Sequence, residues 1–174
     1  MIKKGIILAG GKGTRMSPLT KAVNKQLLPL YDKPLIFYPL SALMLAGIRD
    51  ILIIVNKGQL NQFRKILPEN NNLGIKIQYK EQQNPNGLPE AFIIGEKFIG
   101  KNSVALILGD NFFYGQSLTK VLKKNASFKM GAKTFLHPVK NAQQYGVATL
   151  NKSKKILKLR SEEHTSELQS LTNL

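Results

Sequence analysis

The stretch of this sequence best suited to chemistry is Leu8-Ala9-Gly10-Gly11-Lys12-Gly13-Thr14-Arg15. It directly follows a short apolar run. Its glycines allow a sharp turn and a close approach of backbone to a ligand. Successive N–H groups in such a turn form a concave nest for anions. Thr14 adds a hydroxyl donor, and Arg15 adds a planar cation that bridges phosphate oxygens two at a time. Two familiar phosphate motifs do not fit. The P-loop requires Gly-Lys-Ser/Thr after four intervening residues, and the dinucleotide fingerprint requires a third glycine where Met16 stands. A plain strand-to-loop turn explains the glycines but not the adjoining Thr14-Arg15. Phosphate binding is the expectation.

Two further residues belong to the same question. Lys25 sits among mostly apolar neighbours. It either snorkels to the surface or neutralises phosphate near the glycine loop. Asp110 ends an apolar run beside Gly109. It is either a helix cap or a magnesium ligand, since one or two carboxylates plus phosphate oxygens suffice for that ion.

The elements that position these residues read as α/β. Apolar runs at Lys4 to Ala9, Asp50 to Val55 and Ser103 to Leu108 suit buried parallel strands. Ile75 to Tyr79 alternates as a strand does, and Ala132 to His137 and Val147 to Leu150 read as further strands. Helices are expected at Pro34 to Ala46 with Pro34 in the first turn, Gln59 to Leu67, Leu88 to Phe98, and Leu118 to Asn125. Strands alternating with helices give a Rossmann-like, mostly parallel sheet flanked by helices, with the ligand at the carboxyl ends of the strands.

Composition narrows the function classes. The chain has 174 residues and no cysteine, so disulfides and thiolate metal sites are excluded. Two histidines do not make a zinc site, and His137 reads as structural. The net charge of +16 invites a nucleic-acid partner. The lysines are scattered, however, and no aromatic strand motif accompanies them, so none is expected. The positive potential would still draw in a triphosphate. The Pro34 to Ile48 stretch is too short and interrupted to span a bilayer. No signal peptide opens the chain, and a cytoplasmic protein is expected.

From Arg160 the text changes. Arg160 to Leu174 is polar and lacks the Lys/Ile usage before it. It back-translates in frame into DNA similar to a widely used sequencing adapter. Residues 1–159 are therefore expected to form the nucleotide-binding part, and 160–174 a non-native tail.

Several motifs together resemble the glucose-1-phosphate thymidylyltransferase family of sugar-1-phosphate nucleotidyltransferases. They are the glycine loop, Lys25-Gln26-Leu27-Leu28-Pro29, Tyr31-Asp32-Lys33-Pro34, Pro85-Asn86-Gly87-Leu88, and Leu108-Gly109-Asp110-Asn111 with Phe113-Tyr114-Gly115. The resemblance implies transfer of a thymidylyl group from dTTP to glucose 1-phosphate with Mg2+, in a homotetramer. It implies that Leu8, Ala9, Gly10, Gly11, Gly13 and Thr14 cradle the triphosphate. Arg15 and Lys25 would be catalytic and nucleotide-binding, Gln26 would support the nucleotide, and Gln82, Pro85 and Gly87 would form the base pocket. Asp110 would hold the metal at the nucleotide, and Asn111, Tyr145 and Gly146 would approach the sugar. The sequence departs from the family at Asn24, where a small hydroxyl residue is frequent, at Gln83, and at Pro89-Glu90. The family's second metal-binding aspartate lies beyond the point matching Leu159. This chain is therefore expected to be a truncated N-terminal part with little activity alone.

Overall fold

The computed structural model of the chain describes residues 1–11, 13–127, 130–141 and 145–160, apart from the side chain of Arg15. It divides into a first unit, Met1–Lys129, and a second, Met130–Leu174.

In the first unit the strands are β1 (Lys4–Ala9), β2 (Pro29–Leu30), β3 (Lys33–Pro34), β4 (Asp50–Asn56), β5 (Lys76–Gln82) and β6 (Val104–Leu108). The helices are α1 (Leu19–Ala22), α2 (Phe37–Leu45), α3 (Leu60–Ile66), α4 (Glu90–Ile94), α5 (Glu96–Ile99) and α6 (Leu118–Ala126). Single 3-10 turns stand at Thr14–Met16 and Lys25–Leu27.

Four strands form one parallel sheet in the order β5-β4-β1-β6. The chain runs outward from β1 through β4 to β5, then returns to place β6 on β1's other side. The reversal between β1 and β6 is a topological switch point, where doubly wound sheets open a crevice for ligands. Register fixes what flanks it. Leu8 pairs with Leu108 and Ala9 with Val55, so the glycine loop, Gly109-Asp110 and Asn56 all emerge at one end of the sheet.

The apolar runs are continuous because both faces of the sheet are covered. Alternate residues point to opposite faces. Ile7, Ile51, Ile53, Val55, Ile77 and Ile107 pack with Leu40 and Leu43 of α2, Phe63 of α3 and Leu122 of α6. Ile6, Leu52 and Ile54 pack on the other face with Ala91 of α4, against Phe98 and Ile99 of α5. Each fully buried aliphatic side chain contributes about 1.5–3 kcal/mol of transfer free energy, and this core fixes the strand ends that carry the site.

Two expectations are corrected in this unit. Pro34 does not open the α2 helix; it pairs with Pro29 in the β2–β3 hairpin. The next two N–H groups donate to Leu28 and Gln26 carbonyls, which delays the helix to Phe37. The helix expected over Leu88 to Phe98 is broken at Gly95. A Cβ there would lie 2.8 Å from Ile6 Cδ1 and 2.8 Å from the Ala91 carbonyl, so glycine lets the helical segment seat on β1.

In the second unit β7 (Val147–Leu150) and β8 (Ile156–Arg160) form an antiparallel hairpin. Asn151 Oδ1 ties its turn by accepting from the N–H groups of Ser153 and Lys155. The strand expected over Ala132 to His137 is instead irregular and exposed. Alternation supplies one half of a ladder, and among the described residues no strand pairs with this segment. His137 is accordingly not in a strand. β8 runs through Arg160, and the rest of the expected tail lies outside the described residues.

Candidate nucleotide site at the sheet's switch point

The glycine loop leaves β1 between the ends of β4 and β6, and four side chains from three other segments fix its path. Asn56, the last residue of β4, grips Gly11 from both sides. Gly11 N–H donates to Asn56 Oδ1 at 3.2 Å, and Asn56 Nδ2 donates to the Gly11 carbonyl at 3.0 Å. Asn24 Nδ2 donates to the Ala9 carbonyl at 3.4 Å and also to Gln59 Oε1. Gln26 Nε2 donates to the Gly10 carbonyl at 3.3 Å, and Thr20 Oγ1 to the Gly13 carbonyl at 2.8 Å.

The short turn Lys25–Leu27 exists because Asn24 caps it. Asn24 Oδ1 accepts from Gln26 N–H at 2.8 Å. Asn24 was singled out above only as a departure from the family pattern; here it is buried and supports two segments at once. The cap turns Gln26 inward and Lys25 toward Asp110. Lys25 Nζ lies 2.7 Å from Asp110 Oδ2, with both side chains about one-third exposed. Asp110 follows Gly109, whose N–H donates to the Leu8 carbonyl at 2.9 Å. A Cβ on Gly109 would lie 2.8 Å from Gln26 Cγ and 3.0 Å from Ala9 Cα, so only glycine fits between the two loops.

Gln82 ends β5 and is 3% exposed. Its Nε2 donates to the Asn84 carbonyl at 3.0 Å. Its Oε1 is buried with no partner among the described residues, as is Gln26 Oε1. A Cβ on Gly10 would lie 2.6 Å from Gln82 Oε1, which places that acceptor against the glycine loop. Buried acceptors without donors are costly, by about 1–3 kcal/mol each, and a ligand N–H or O–H would satisfy them.

The sequence-derived candidates therefore separate by position. Gly10, Gly11, Gly13, Lys25, Gln26, Gln82 and Asp110 come together at one end of the sheet. Leu8 and Ala9 offer the crevice only backbone, since the Ala9 side chain is fully buried and Leu8 packs on the second-face core. Thr14 is exposed in the turn after the loop. Pro85 and Gly87 lie in the exposed segment between β5 and α4, with Gly87 at φ +97°. Asn111 follows Asp110 and is half-buried. Tyr145 and Gly146 precede β7 in the second unit, where the Tyr145 ring is exposed. Sequence reasoning missed Asn56, Gln59 and Thr20. The one available signal was Asn56 as a polar end to an otherwise apolar strand.

The donor set is compatible with magnesium as one carboxylate, Asp110, facing a crevice where phosphate would supply other oxygens. No group of three or more His, Cys, Asp or Glu suited to a metal occurs among the described residues. Nor is any helix among them long and apolar enough to cross a membrane.

Comparison with known proteins adds an independent line. A family model described as nucleotidyl transferase matches residues 4–163. The chain is 55% identical over 150 residues to the glucose-1-phosphate thymidylyltransferase of Neisseria meningitidis, covering 86% of this chain and 52% of that one. It is 48% identical over 155 residues to the enzyme of the same name from Xanthomonas campestris, covering 89% and 52%. The chain thus spans about half the length of the curated relatives it matches. A Bacillus anthracis crystal structure described as a glucose-1-phosphate thymidylyltransferase with sucrose superposes with a TM-score of 0.82 at 33% identity, covering 91% of this chain and 64% of that one. A UDP-glucose pyrophosphorylase complexed with UDP-glucose gives 0.73 at 25% identity, covering 96% and 71%.

Proposed function

The chain belongs to the nucleotidyl transferase family, and on that premise we propose that residues 1–159 are the nucleotide-binding part of a glucose-1-phosphate thymidylyltransferase. The whole enzyme would transfer a thymidylyl group from dTTP to glucose 1-phosphate, giving dTDP-glucose and pyrophosphate. The observation that carries the reading is the Lys25–Asp110 pair beside the glycine loop at the switch point.

The chemistry asks the protein for positioning and charge rather than covalent participation. An oxygen of the sugar phosphate attacks the α-phosphorus, the bond from that phosphorus to the β-phosphate oxygen breaks, and pyrophosphate leaves. The glycine loop holds the triphosphate through its backbone. Lys25 gives up its contact with Asp110 and turns its ammonium to the reacting phosphates. Asp110 would hold magnesium, which would supply positive charge at the phosphate oxygens. Arg15 keeps the role implied by the resemblance, at the leaving pyrophosphate. Gln82 Oε1, buried without a donor among the described residues, accepts from the imide N–H of the base. Uracil carries the same N–H, so UTP is the second nucleotide to test. Asn111 is proposed as a sugar contact. The complete protein is proposed to be a cytoplasmic homotetramer that does not bind nucleic acid.

The test is titration calorimetry of this chain with Mg2+ and dTTP, UTP or GTP. It is joined by pyrophosphate release from a chimera in which residues 1–159 replace the matching half of the Neisseria relative. Binding of dTTP and UTP over GTP, with turnover of glucose 1-phosphate, is the expected result. Preference for GTP would overturn the base-pocket assignment.

A further inference from the structure

Asn56 has no part in the reading above, yet both ends of its carboxamide bond Gly11. Register explains why they can. Ala9 pairs with Val55, so Asn56 is the residue level with the start of the loop. Its carboxamide spends both ends on one glycine, accepting from Gly11 N–H and donating to Gly11 C=O. Gly11 itself stands at φ +100°, a conformation that L side chains rarely adopt, and a Cβ on it would meet nothing within 4 Å. The edges of this residue are thus tied inward while its outer side is bare. A loop with such a residue can let a phosphate come to backbone distance without first being ordered by it.

We propose that Asn56 is a positioning residue for phosphate binding, holding Gly11 in its left-handed conformation before the nucleotide arrives. This deepens the proposed function and rests on it. Pre-ordering lowers the entropic cost of binding, so the effect belongs to the phosphates and not to the base.

The experiment uses the full 174-residue chain with two variants, Asn56→Ala and Asn56→Asp. Hydrogen exchange of the Gly11 amide in the free protein reads the clamp directly. Calorimetry with Mg2+ and either inorganic tripolyphosphate or dTTP reads its use. Asn56→Ala should exchange the Gly11 amide faster. It should weaken tripolyphosphate and dTTP by the same factor, about tenfold, the scale of one lost net hydrogen bond. Asn56→Asp keeps the acceptor for Gly11 N–H but sets a negative charge beside the phosphates. It should bind more weakly than Asn56→Ala at low salt, with the gap closing as salt rises, a readout a purely architectural role would not move. Unchanged affinity for both probes in Asn56→Ala, with exchange accelerated, would overturn the proposal and leave the nucleotide site standing. If the unaltered chain binds neither probe while its Gly11 amide is protected, the nucleotide reading fails and this inference with it.

Discussion

The glycine loop after β1 and the segment between β5 and α4 flank the same end of the sheet, but they are held in opposite ways. The glycine loop is tied by side chains distant in sequence, with Asn56 reaching it from 45 residues away, Gln26 from 16 and Asn24 from 15. The β5–α4 segment, proposed to take the base, is tied by local side-chain hydrogen bonds among the described residues. Gln82 bonds the Asn84 carbonyl two residues on, and Glu90 accepts from Asn86, four residues before it. Distant ties make the first loop part of the core's geometry. Local ties leave the second free to adjust without disturbing the sheet. The division would suit the proposed ligand, whose triphosphate is constant and whose base must be told from others.

The comparison is broken most severely by adding bulk between the tightly held loops. Gly109→Ala would press a methyl onto Ala9 Cα at 3.0 Å and Gln26 Cγ at 2.8 Å. Ala9 is backbone and cannot yield as a flexible side chain does. The expected cost is about 3 kcal/mol, the upper range for overpacking, seen as a lower urea midpoint. Gly87→Ala on the base side meets only Pro89 Cδ at 3.7 Å. It pays only for its positive φ, about 1–2 kcal/mol. If the two variants lose equal stability, the contrast between the loops is wrong.

Asn24→Ala should cost about 2 kcal/mol by the same measurement. It removes a cap worth about 0.5–2 kcal/mol and leaves the Ala9 carbonyl and Gln59 with one partner fewer. Asn24→Ser should recover part of the loss, because a hydroxyl can still cap the Lys25–Leu27 turn.

Lys25→Met separates stability from binding. The Lys25–Asp110 pair is part-exposed, and such pairs contribute about 0–1 kcal/mol to stability. The midpoint should hardly move. Affinity for Mg2+ and dTTP together should fall at least about tenfold, or about 1.4 kcal/mol. The same variant should bind Mn2+ alone more tightly, because Asp110 no longer has an ammonium beside it. Unchanged Mn2+ affinity would show that Lys25 does not compete with the metal.

Much of this architecture was legible in the sequence because it rests on local signals. Fully apolar runs such as Ile51 to Val55 mark strands buried on both faces, and Gly10, Gly11 and Gly13 mark a loop that needs unusual backbone. Sheet order was not legible, since nothing local says that β6 returns to β1. The partners of the loop were hidden for the same reason. Asn24, Asn56 and Gln59 are ordinary polar residues at element ends, and their work depends on neighbours brought in by the fold. Ala132 to His137 was over-read because alternation describes one strand and a sheet requires two. Pro34 was misplaced because the hydrogen bonds of Leu35 and Ile36 go backward to Leu28 and Gln26, which spacing does not reveal.

The smallest effect should come from the base side, and it sharpens the contrast most. Asn86→Ala deletes one of two contacts to Glu90, the side-chain one at 3.1 Å, while the backbone N–H keeps its own at 3.1 Å. Both groups are exposed, so the stability change should stay within about 0.5 kcal/mol. The tripolyphosphate affinity should not change, because no tie of the glycine loop runs through Asn86. What should move is the ratio of dTTP to UTP affinity, by about two- to threefold, a shift of well under 1 kcal/mol. Calorimetry with the two nucleotides reads that ratio directly. A loss shared by tripolyphosphate would mean that the base-side segment also shapes the phosphate cradle, and that the two loops are one mechanical unit.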